Sequence, residues 1–156
     1  MINYDDIWIP LQAGLENYVG KPVIQAETNG KQPPYPFISI KDTSTFNVGQ
    51  PAITNNVETQ TIKQDIEMVL SLTVHAKTIE ESKDLCMKAQ GYFLGKGAIE
   101  LSDAGIAIVD VLPATNRDVF LTIDYERRYG FDVRLRIQGQ ETYGIDVIET
   151  VTIQEG

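Results

Sequence analysis

Apolar positions recur along this chain with two periods, and the changes from one to the other mark out its elements. Between residues 4 and 19, Ile7, Trp8, Leu11, Leu15, Tyr18 and Val19 follow spacings of three and four, which puts them on one stripe of a helix. Gly20 ends that helix. Pro10 lacks an N–H and its ring collides with the preceding turn, so a short irregular start is expected, with the regular helix beginning near Ile9. Val23 to Glu27 reads as a brief strand, and Asn29-Gly30 and Pro33-Pro34 punctuate the loop after it. A second strand begins at Pro36, alternates through Ile38 and Ile40, turns polar at Asp42 and Ser44, and reaches Phe46. Val48 to Asn56, with Gly49 and Pro51, reads as the tip of a long hairpin.

Residues 57–77 carry the longest strand pattern. Ile62, Ile66, Met68, Leu70, Leu72, Val74 and Ala76 fall in one phase, and Thr61, Lys63, Asp65, Glu67, Ser71, Thr73 and His75 in the other. At about 3.3 Å per residue such a strand reaches roughly 70 Å, against a usual length of about five or six residues. Its outer half, Val57 to Gln64, is therefore expected to leave the domain body. Paired with residues 41–50, it forms a protruding β-hairpin arm over approximately residues 41–64.

Thr78 and Glu81 have the spacing of a capping box, and Ile79, Ser82, Leu85, Cys86, Ala89, Tyr92 and Phe93 trace one face of the helix that follows. Gly95 and Gly97 are read as its end, and Ile99 to Ala104 fits neither period. Ile106 to Leu112 is apolar in both phases except at Asp110, the pattern of a central strand covered on both faces. From Ile123 to Gln138 the alternation is almost unbroken, Gly139 to Gly144 reads as a turn, and Ile145, Val147, Val151 and Ile153 supply a last strand. The order of elements predicts an α+β fold: a mixed, mostly antiparallel sheet, two main helices packed on one face, and the protruding arm, all in one domain of residues 1–156.

Composition narrows the function. The chain has 156 residues, enough for one domain with a real core, and 22 acidic against 13 basic side chains, so its net charge is 13 − 22 = −9. A surface that grips phosphates needs clustered positive charge, so a nucleic-acid binder is disfavoured. The single cysteine, Cys86, leaves no disulfide. The N-terminus carries Asp5 and Asp6 where a secretory signal is basic, and no apolar run approaches the roughly 18 residues of a membrane span, so a soluble cytoplasmic product with no membrane contact is expected.

Candidate chemistry is sparse. His75 is the only histidine and lies in the polar phase of its strand, where it reads as a solvated residue. Cys86 falls on an apolar helix face and reads as a small buried hydrophobe. Gly95-Lys96-Gly97 follows a helix, whereas a phosphate loop precedes one. Asp5/Asp6 and Glu80/Glu81 stand at helix starts, where negative charge stabilises the dipole. No catalytic, cofactor-binding or metal-binding residue emerges, and an enzyme is not expected. The one concentration of charge is Arg127, Arg128, Arg134 and Arg136, three of which share the polar phase. They are open to two readings: cross-strand pairing with Asp124, Glu126, Asp132 or Glu149, or a subunit interface through Arg128, Arg134 and Arg136.

Gly20-Lys21-Pro22-Val23-Ile24, then Asn29-Gly30, Pro33-Pro34-Tyr35-Pro36, Glu126-Arg127-Arg128-Tyr129-Gly130-Phe131-Asp132-Val133 and Ile148-Glu149-Thr150-Val151 together resemble the neck and tail terminator family of tailed phages. The resemblance implies a structural virion protein made in the bacterial host. It implies a ring, a hexamer, on the head-proximal end of the tail tube, with the tail tube protein and the head connector or completion protein as partners and DNA passing through unbound. It implies no cofactor and carries over no active-site residue. The −9 charge suits a lumen along which DNA slides. A head completion or connector protein, or a monomeric acidic adaptor or inhibitor of a host protein, are the alternative readings.

Overall fold

The computed structural model describes residues 3–26, 30–43, 47–119 and 126–144. The first helix, α1 (Tyr4–Val19), buries Ile7, Leu11, Leu15 and Val19, the stripe that the spacing predicts. It does not start late. A capping box at Asn3 opens it, with the Asn3 amide donating to Asp6 Oδ2 at 3.2 Å, and the helix includes Pro10. The cap and the burial of Ile7 hold the extra turn against the single backbone bond that proline withholds.

Eight strands among the described residues form one sheet: β1 (Val23–Gln25), β2 (Phe37–Asp42), β3 (Asn47–Val48), β4 (Ala52–Asn55), β5 (Thr59–Ala76), β6 (Ile106–Val111), β7 (Thr115–Asn116) and β8 (Arg127–Gly144). Its spine is the antiparallel pair β5–β8, in register from Thr59↔Gly144 to Ala76↔Arg127 over all 18 residues of each strand. Strands β2, β3 and β4 follow one another along the free edge of β5, β6 and β7 line the free edge of β8, and β1 runs parallel to β2. Met68, Leu70, Leu72 and Val74 of β5, with Phe131, Val133, Leu135 and Ile137 of β8 and Ile38 and Ile40 of β2, form the core with α1, α2 (Ile79–Leu94) and α3 (Lys96–Asp103). The other phase of these strands makes the open face, on which Phe37 and Ser39 of β2 are nevertheless buried.

Helix α2 starts as expected, with the Glu81 amide donating to Thr78 Oγ1 at 3.2 Å. At its far end the chain does not simply stop. Gly95 breaks the helix and α3 begins at the next residue, so the described residues hold a short third helix beside the two main ones, and Ile99 is helical. Gly97 is a contact rather than a terminator: a Cβ there would lie 2.5 Å from the carbonyl oxygen of Tyr92.

Three strand expectations also change. Among the described strands Ile106–Val111 is an edge, pairing with β8 alone, and Val109 and Asp110 are exposed. A bulge between Ile108 and Asp110 throws Val109 outward, so the doubly apolar run reflects a broken alternation instead of two covered faces. Residues 139–144 continue β8, because pairing with Thr59–Gln64 overrides their turn-like glycines. The arm is three-stranded: Gln60–Lys63 pair with Ala52–Asn55 on one side and with Gln140–Tyr143 on the other. Lys41 and Asp42 stay in the body, opposite Ser71 and Leu70. The last strand expected at 145–153, and the start of β8 expected at Ile123, lie outside the described residues.

Candidate functional site

The open face carries the polar phase of β8, and with it Arg128, Arg134 and Arg136. Arg136 stands opposite Glu67 and donates to its Oε1 from Nη2 at 2.7 Å and Nε at 3.2 Å. Arg128 forks onto Glu126, with Nε to Oε1 at 3.1 Å and Nη2 to Oε2 at 3.2 Å. Arg127 reaches Asp118 Oδ2 at 3.0 Å. Arg134 is different. It is exposed, in register with Val69 of β5 and Asp110 of β6, and makes no ion pair among the described residues. Of the carboxylates expected to pair across strands, Glu126 binds Arg128 two residues along the same segment instead, Asp132 binds a different arginine, and Asp124 and Glu149 lie outside the described residues.

That different arginine, Arg117, is not found by sequence reading. It lies across the two spine strands: Nη1 donates to Ser71 Oγ at 2.6 Å, Thr73 Oγ1 at 3.1 Å and the Leu72 carbonyl at 3.3 Å, while Nη2 donates to Asp132 Oδ1 at 3.0 Å. Gly130 makes this possible, since a Cβ there would meet Arg117 Nη1 at 2.7 Å and the Leu72 carbonyl closer still. The available signal is that glycine, which interrupts a regular polar phase and so marks a close approach. Asp118 completes the staple by accepting the Arg128 amide at 2.6 Å. Burial raises its pKa, but the hydrogen bonds from the Arg128 backbone and the Arg127 side chain prevail and lower it.

His75 is not solvated. Its ring stacks on Phe37 with centroids 4.5 Å apart, its Nε2 meets Ser39 Oγ at 2.8 Å, and its Nδ1 bonds Glu126. Burial lowers the His75 pKa against the opposing pull of Glu126. For Glu126, burial raises the pKa, but hydrogen bonds from Arg128 and His75 outweigh it and hold the carboxyl low. The consistent protonation has a neutral ring donating Nδ1–H to ionised Glu126 and accepting the Ser39 hydroxyl at Nε2.

Serine, histidine and carboxylate thus stand in the order of a nucleophilic relay, but the setting is structural. Such a relay needs an exposed hydroxyl and amides free to hold an oxyanion. Ser39 is buried in the middle of β2, between Ile24 and Thr73 in the sheet ladder. Cys86 is buried, and burial pushes its thiol up to about 11, away from the reactive thiolate. Among the described residues no group of three or more His, Cys, Asp or Glu side chains is arranged to hold a metal, and no helix is long and apolar enough to cross a membrane.

No curated protein matches the chain. Among solved structures, a chain from the virion of a native gene transfer agent (GTA) particle is similar at 20% identity, covering 80% of this chain and 84% of that one with a TM-score of 0.33. The profile of phage neck terminator proteins matches residues 10–156, nearly the whole sequence. The chain belongs to the phage neck terminator protein family: it is a structural component of the virion neck and tail, without catalytic activity.

Proposed function

We propose that this neck terminator is a single-domain subunit, residues 1–156, of a homo-oligomeric ring, a hexamer, that caps the head-proximal end of the tail tube and joins it to the head connector. The observation that carries this reading is the three-stranded arm, which extends the sheet past its helices and leaves the outer edge of β4 without a described partner. Open strand edges are a liability for a monomer and a contact for a subunit. The partners are the tail tube protein and the head connector or completion protein. DNA passes the acidic lumen without specific binding. Negative-stain microscopy of the protein, alone and with purified tail tubes, is expected to reveal rings or capped tube ends; monomers beside tubes of unlimited length would refute the proposal.

Arg128, Arg134 and Arg136 belong to the subunit interface in this reading. Arg134 is the one to test, because Arg128 and Arg136 are tied to Glu126 and Glu67 within the chain. Arg134→Glu is expected to weaken the ring at unchanged melting temperature, and rings of wild-type stability would remove Arg134 from the interface.

A further inference from the structure

We draw no further inference here: the strongest candidate, the groove between the start of α1 and the α3–β6 turn, lined by Ile7, Ile106 and Ile137 with Asp5 and Asp6 beside them, carries nothing because nothing in the structure shows what covers it.

Discussion

Arg117 crosses β5 and β8 over the gap that Gly130 leaves, and its four hydrogen bonds tie residues 71–73 to Asp132. Truncation would strip partly buried oxygens of their donor, at a cost of about 1–3 kcal/mol. Arg117→Ala is expected to lower the urea midpoint accordingly, and Arg117→Lys to recover only part, since an ammonium cannot fork between two strands. His75 gives a pH dependence of fixed sign. Its folded pKa lies below 6.5, chiefly through burial, so the unfolded chain takes up the proton first. The stability from the neutral ring is complete above about pH 6.5 and is lost as pH falls below it. Glu126, held below 4.5 against the effect of burial, adds a second loss at lower pH. Melting temperature should therefore fall more steeply between about pH 7 and 5 for wild type than for His75→Gln; equal slopes would contradict the assignment. The strand phase of His75 is legible in the sequence, but its burial is not, because Phe37 and Glu126 arrive from positions far along the chain. The arginine cluster is legible for the same reason that its pairing is not: alternation fixes which face a side chain takes, and only register decides that Glu67 stands opposite Arg136.

At the scale of elements, local signals hold where the chain decides its own structure and fail where neighbours decide it. Thr78 caps α2 as its spacing predicts, and Thr78→Ala is expected to cost about 1 kcal/mol, read from the shift in urea midpoint. Pro10 and residues 139–144 mislead in the same way. Each carries a breaker residue whose local penalty is outweighed, in α1 by a cap and buried Ile7, in β8 by continuous pairing with β5. Strand β6 is misread because a bulge imitates two covered faces. That bulge also makes β6 a poor template, since its ladder is interrupted where another strand would join, so the described sheet is better guarded on that side than along β4.

The whole molecule combines a net charge of −9 with an open face whose arginines are largely neutralised by their own carboxylates. No strong positive patch remains among these pairs to hold phosphate. The protein is expected not to retard duplex DNA in gels even at about 50 mM salt, and retardation that fades as salt is added would oppose a freely sliding lumen. The fold class and the acidic character were open to view from residue order, since both are sums over many positions. The third helix and the third strand of the arm were not, because each depends on a single contact choice, Gly97 against Tyr92 and β8 against the outer half of β5.

The unbroken pairing of β5 with β8 has a mechanical consequence. Eighteen residues at about 3.3 Å per residue make a girder of roughly 60 Å, one end rooted in the core and the other forming the arm. No hinge separates the two along either strand. A load on the tip is therefore carried as torque into the helix-covered end, and slippage by even one residue would invert every core side chain. The arm transmits force like a lever keyed to its shaft.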